Sequence, residues 1–202
     1  MKIVAGPVTD EMRAVANALL KTIEHYDPAI AEHLDAVASL SGRLATALGF
    51  GEQQAAIVAL AGRLHDVGKI AVSRHILLKP SSLDELEWRE VRMHPVHGFT
   101  ILCDLASLRD LAALTRSHHE RIDGTGYPDR LFGYEIPLES RIVAVADAFH
   151  AMTVARPYAR TKEPEEALHE LRRCSGTQFD GEIVDTFIDM LGARGRFERA
   201  SA

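Results

Sequence analysis

The stretch from Glu52 to Asp66 limits the fold more than any other part of the chain. Its run of Ala, Ile, Val and Leu makes a helix that is apolar on most faces. Such a helix is stable only when other helices surround it. The neighbouring sequence can supply them. Residues Thr9 to His25 carry Met12, Val15, Ala16, Leu19, Leu20 and Ile23 at steps of three and four, an amphipathic stripe. Asp27-Pro28 reads as the cap and first position of a second helix, which runs to about Leu48 and ends at Gly49 and Gly51. Gly68 would terminate the central helix, leaving His65 and Asp66 at its C-terminal end.

Helical signals continue downstream. Residues Ile70 to Pro80 read as a connecting loop. Ser82 and Glu85 form a capping-box pattern for a helix through Met93. Pro95 interrupts it, and a further helix runs towards Leu105. Leu108 to His119 reads as helical. The stretch Asp123-Gly-Thr-Gly-Tyr-Pro-Asp129 is the strongest loop signal in the chain. A second loop reaches Pro137, followed by helices over Glu139–Thr153, near Glu163–Cys174 and near Gly181–Leu191. Ile142-Val-Ala-Val145 suits a strand on propensity, but no second strand pattern exists to pair with it, so it reads as buried helix. The expectation is an all-α, compact multi-helix bundle without internal repeats. Residues 1–26 would be an N-terminal helix used for packing or dimerisation, 27–195 the main domain and 196–202 a polar tail.

Composition narrows the function. Hydrophobic residues make up 47% and charged residues 26%, the usage of an ordinary globular chain. A net charge of −6 argues against partners that need a basic face, so no DNA, RNA or membrane surface is expected. No apolar run is long enough to span a membrane, the N-terminus lacks a signal-peptide core, and two cysteines cannot form a disulfide framework. The chain reads as cytoplasmic. Histidine stands out, with ten residues among 202.

Several of those histidines are organised. His65-Asp66 ends the apolar helix, where a buried carboxylate beside a buried imidazole needs compensation from helix-end packing or from a metal ion. His118-His119 is a second doublet, directly ahead of the Gly-rich loop. Adjacent helical residues point about 100° apart, so both rings can serve one cluster only where the helix ends. His33 and His94 lie on separate helices. Asp147 sits in the apolar segment Ile-Val-Ala-Val-Ala-Asp-Ala-Phe, where an unpaired carboxylate is costly. Together these residues offer five imidazoles and two carboxylates, a donor set suited to two metal ions inside a bundle. His97 has no partner and reads as solvent-exposed; His25, His75 and His169 lie in polar surroundings.

The blocks His65-Asp-Val-Gly-Lys-Ile70, Leu78-Lys-Pro80, His94-Pro-Val-His-Gly98, His118-His-Glu-Arg-Ile-Asp-Gly-Thr-Gly-Tyr-Pro128, Ile136-Pro137, Arg141-Ile-Val-Ala-Val-Ala-Asp147, Arg156-Pro-Tyr158 and Phe179-Asp180 resemble, in order and spacing, those of HD-GYP domains. These are a branch of the HD superfamily of metal-dependent phosphohydrolases. The resemblance runs from His33 to Asp180, and the block at 118–128 is highly specific. It implies an HD-type helical bundle that hydrolyses the second messenger cyclic di-GMP to linear pGpG, or further to GMP. It also implies metal ligation by His33, His65, Asp66, His94, His118, His119 and Asp147, with Asp66 bridging two ions. Iron or manganese is expected, and zinc or nickel also suits such donors. A water between the two ions would lose its proton near neutral pH and attack phosphorus in line. Lys69 would bind a phosphate oxygen, or else be a solvated helix-end lysine. Arg156 resembles the family's ligand-binding arginine, Asp27 would contact the substrate side or merely cap a helix, and Gly126 and Tyr127 would shape the substrate loop. The N-terminal stripe from Met12 to Ile23 leaves a homodimer open, and contact with a diguanylate cyclase (GGDEF) domain through the Gly-Tyr-Pro loop is a partner the resemblance allows.

Three departures from the family pattern bear on this reading. His150 stands where the family usually has Asp, one turn from Asp147, and would replace a supporting hydrogen bond or join the metal shell. Ala159 stands where a basic residue is usual, removing one phosphate contact. Ala29 stands where some relatives carry a glutamate ligand, so two ions are expected rather than three. Two alternatives remain open at this point. One is an HD hydrolase of another nucleotide. The other is a weakly active receptor that senses the dinucleotide and signals through protein contacts.

Overall fold

The computed structural model describes residues 6–26, 30–154 and 161–200, with Tyr26 and residues 193–200 described by backbone alone. Asp27, Ala29, Arg156 and Ala159 lie outside the described residues. Helix α3 (Glu52–Leu64) occupies the centre, as its composition demands, with Ala55, Ile57, Val58, Leu60, Ala61 and Leu64 all buried. It is flanked by α2 (Ile30–Ala47), α7 (Ala112–Arg116) and α8 (Leu138–Thr153). Small residues bring α2 and α3 close together. A methyl on Gly42 would meet the Ala59 Cβ at 3.0 Å, and one on Gly62 would meet the Ser41 Oγ at 3.0 Å.

The other helices close the bundle around this pair. They are α1 (Asp10–Tyr26), α4 (Arg74–Leu77), α5 (Glu85–Val91), α6 (His94–Cys103), α9 (Pro164–Arg173) and α10 (Gly181–Ala200), with 3₁₀ turns at Val67–Ala71, Arg109–Leu111 and Gly133–Glu135. Helix α1 turns Met12, Ala16, Leu20 and Ile23 into the core. Leu44, Leu64, Leu102, Leu114, Ile142 and Phe187 are fully buried, each stabilising the fold by about 1.5–3 kcal/mol. The described residues contain no β-strand, and the β-branched run Ile142–Val145 is helical because both of its ends face the core. None of the described helices is long and apolar enough to cross a membrane.

Four local expectations need correction. The cap of α5 is Asp84 rather than Ser82. Its carboxylate accepts the Leu86 and Glu87 N–H groups, and Glu87 returns the contact to the Asp84 N–H at 2.8 Å. Lys79 fixes that register by gripping both Glu87 oxygens at 2.6 and 2.7 Å. Pro95 does not interrupt a helix; it opens α6 in the first turn, where its missing N–H costs nothing. The segment 70–80 is not a plain loop, since the 3₁₀ turn runs into it and α4 follows. Gly68 lies inside the 3₁₀ turn rather than terminating α3, and its role is clearance. A Cβ there would stand 1.9 Å from the His94 carbonyl oxygen and 2.4 Å from the Gly98 nitrogen.

Candidate metal centre

Three buried histidines are held by one local device. The His65 Nδ1 lies 2.7 Å from the Gly62 carbonyl, the His94 Nδ1 2.7 Å from the Val91 carbonyl, and the His118 Nδ1 2.5 Å from the Thr115 carbonyl. Each carbonyl sits three residues back, in the last turn of α3, α5 or α7, where no helical N–H remains to satisfy it. A carbonyl only accepts, so the proton sits on Nδ1 and the Nε2 lone pair points inward. Helix α7 stops at Arg116, earlier than the periodicity suggests. The turn that follows lets His118 and His119 face one cluster.

At the centre of that cluster, acceptors face acceptors. The Nε2 atoms of His94 and His118 are 3.2 Å apart with both protons already committed to carbonyls. The His94 Nε2 also lies 3.1 Å from the Asp66 Oδ1, an oxygen that is buried with no hydrogen-bond partner. A cation placed between these atoms would satisfy such an arrangement. On the other side, the Asp66 Oδ2 lies 3.2 Å from the His65 Nε2 and 3.8 Å from the His33 Nε2. The Asp147 Oδ1 lies 3.2 Å from the His33 Nε2 and 3.8 Å from the His65 Nε2. Two donor groups result. Asp66, His94, His118 and His119 form one, and His33, His65 and Asp66 the other, with the donor atoms of each group within 4.8 Å of one another. Asp66 belongs to both. The donor set fits a divalent metal ion, and metal binding is what this His/Asp cluster can do.

Electrostatics suit ligation. Burial, reinforced by the neighbouring imidazoles, holds His118 well below the ordinary histidine range and His119 at about 3, so both rings stay neutral. Burial pushes Asp66 upward, but Lys69 and then His65 outweigh it and leave the carboxyl well below its usual range. Asp147 follows the same pattern, with the His33 hydrogen bond as the main opposing influence. Burial alone would lower His65, yet Asp66 and Asp147 together raise it.

The surrounding residues fall into place as follows. The Lys69 ammonium sits 2.5 Å from the Asp66 Oδ2 and is half-buried. The Tyr127 ring stacks on His119, with centroids 4.8 Å apart and planes 27° apart. Gly126 admits no side chain, because a Cβ would come within 2.5–2.7 Å of the backbone of Arg121, Glu120 and His119. The His150 Nδ1 lies 2.8 Å from the His33 Nδ1, on the side of the ring away from Asp66. His25, His75 and His169 are exposed, whereas His97 is half-buried rather than solvated. Two residues escaped the sequence reading. Glu120 is buried and accepts the Asp129 and Leu131 N–H groups at 2.7 and 3.1 Å, which ties the Gly-Tyr-Pro loop to the second histidine doublet. Arg92 joins the wall of a cleft of about 850 Å³ that opens onto His118, His119 and Asp147. Glu120 stood within a quoted motif and could have been found there; no local signal marked Arg92.

The chain is 37% identical over 201 residues to "Cyclic di-GMP phosphodiesterase response regulator RpfG" of Xanthomonas campestris, a match that spans 96% of this chain and 53% of the relative. It is 36% identical over 171 residues to "3'3'-cGAMP-specific phosphodiesterase 3" of Vibrio cholerae, covering 85% of this chain and 37% of that protein. The chain thus spans about half the length, or less, of these curated relatives. Among solved structures, the HDG"Y"P protein Bd1817 from Bdellovibrio bacteriovorus shares the fold, with a TM-score of 0.67 at 21% identity over 81% of this chain and 52% of that one. The HD domain pattern matches residues 17–183, so the chain belongs to the HD domain family.

Proposed function

We propose that this chain hydrolyses a phosphodiester bond of a cyclic dinucleotide, cyclic di-GMP in the first place, at a centre of two divalent metal ions. The observation that carries the proposal is the position of Asp66. Its two oxygens face two separate histidine groups, as a carboxylate shared between two ions must. In this reading His33, His65 and Asp147 complete one ion's protein ligands, and His94, His118 and His119 complete the other's. Iron or manganese is the proposed pair, and zinc or nickel would also suit the donors. When bound, the ions supply a nucleophile at neutral pH and charge stabilisation for the phosphorane-like transition state.

The chain's own residues do the rest. Lys69 brings a positive charge to the rim of the cluster, where it can take a non-bridging phosphate oxygen as charge builds. Tyr127 covers one face of the His119 ring and keeps water from it. Arg156 and Asp27 are proposed as substrate contacts on the family resemblance alone. The products would be linear pGpG and then GMP. Two ions rather than three follow from Ala29, which offers no donor, and from the His33 Nδ1, which is already engaged with His150.

A second substrate reading, a mixed cyclic dinucleotide, is favoured by the similarity to the cGAMP-specific protein. The test is incubation of iron- or manganese-loaded protein with cyclic di-GMP and with 3'3'-cGAMP, products being followed by chromatography and metal content measured. Conversion of cyclic di-GMP supports the first reading, and conversion of cGAMP alone supports the second. Turnover of neither substrate by protein carrying two ions overturns both.

A further inference from the structure

The proposed chemistry uses none of the three arginines that line the cleft, Arg92, Arg121 and Arg130. Arg92 caps the C-terminus of α5, and its guanidinium lies between two rings, 5.8 Å from the centroid of Trp88 and 5.8 Å from that of Tyr127. Trp88 lies four residues back on the same helix, so the two side chains share one face. Tyr127 in turn stacks on His119. Trp88, Arg92, Tyr127 and His119 therefore form a column that runs from the surface to the metal centre.

Of the other arginines that line the cleft, Arg121 is already committed, gripping Asp123 at 2.8 Å. Among the described residues no carboxylate pairs with Arg92. Arg130 also lines the wall and is exposed like Arg92, but it stands over no aromatic ring among the described residues. Arg92 is thus the arginine of the cleft wall that has no carboxylate partner among the described residues and stands over aromatic rings. A guanidinium offers an N–H fork whose geometry matches two oxygens of one acceptor.

We infer that Arg92 binds the second phosphate of the cyclic dinucleotide, the one not being cleaved. This rests on the proposed function and extends it. A cyclic dinucleotide carries two phosphodiesters. With one at the ions beside His118 and His119, the other is left for the cleft wall, where Arg92 stands over the Tyr127 ring. A guanine edge could also engage an arginine fork through O6 and N7. The formal charge of the phosphate favours the first partner, since a guanidinium that lacks a carboxylate is best satisfied by an anion.

The test uses metal-loaded full chain, wild type against Arg92→Ala and Arg92→Lys. Equilibrium binding and KM are measured for cyclic di-GMP and cyclic di-AMP, with bis(p-nitrophenyl) phosphate as a diester that has a single phosphate. A lost charge-assisted fork should weaken Arg92→Ala binding of both cyclic dinucleotides roughly tenfold to a hundredfold. Its loss on the single-phosphate diester should be at least tenfold smaller, with metal content retained, and Arg92→Lys should recover part of the binding. A loss confined to cyclic di-GMP would assign Arg92 to the guanine edge and overturn the inference. An equal loss on all three substrates, or none on the cyclic ones, would also overturn it. If wild type binds cyclic di-GMP without cleaving it, the proposed hydrolysis fails while the binding arm still decides the role of Arg92. Absence of binding by wild type overturns both.

Discussion

Gly68→Ala is the most informative single change, because one methyl group strikes the metal centre from behind. The added Cβ would stand 1.9 Å from the His94 carbonyl oxygen, 2.4 Å from the Gly98 nitrogen and 2.9 Å from the His94 carbonyl carbon. All three atoms are backbone, so no side-chain rotation relieves the clash. Ordinary contact needs roughly 3.5 Å. The 3₁₀ turn and the start of α6 must therefore part by about 1 Å or more, carrying His65 and Asp66 away from His94. Overpacking of this kind costs about 1–3 kcal/mol, and the upper end applies where backbone meets backbone. In a domain of this size about 3 kcal/mol lowers Tm by roughly 6–12 °C.

The assay is thermal unfolding of chelator-treated protein beside metal titration of the same samples. The metal-free melt isolates packing, and the titration isolates the site. Gly51→Ala is the control. It sits at φ −65° with nothing within 4 Å of its added methyl, so its stability should stay within about 0.5 kcal/mol of wild type. A Gly68→Ala protein with Tm within about 2 °C of wild type and full metal content would refute the clearance argument.

Three further changes probe the cluster itself. Asp66→Ala removes the residue common to both donor groups, so metal content should collapse and turnover fall by several orders of magnitude; retention of both would sink the site assignment. Lys69→Ala should keep its metal and lose turnover by roughly a hundredfold, the scale for one charge-stabilising group, whereas loss of metal would show that Lys69 serves to hold Asp66. His150→Ala deprives His33 of its partner at 2.8 Å, and metal affinity measured by chelator competition should drop about 10–100-fold. Unchanged affinity there would mean that His150 does not orient the ring.

Much of this protein was legible in its sequence because the signals were local. The apolar run 52–64 had to be a central helix, and the stripe on α1 had to face a core, since helical periodicity needs only neighbouring residues. Histidine and aspartate announce their chemistry by type, and their placement at helix ends and in an apolar helix marked seven of them as one donor set. What the sequence left undetermined depends on contacts between segments far apart in the chain. The cap of α5 was set by Lys79 reaching Glu87, and the early end of α7 by what the second doublet must face. Gly68 looked like a helix terminator and proved to be clearance for the His94 backbone, a distinction visible only once the 3₁₀ turn lies against α6. The inward aim of each Nε2 comes from an orphan carbonyl on a helix end. The sharing of Asp66 comes from histidines on different helices approaching opposite oxygens. Arg92 gained its place from Tyr127, thirty-five positions along the chain and a neighbour only in the folded state. Such distances are set by how helices pack, and packing is a property of the whole chain rather than of any window within it.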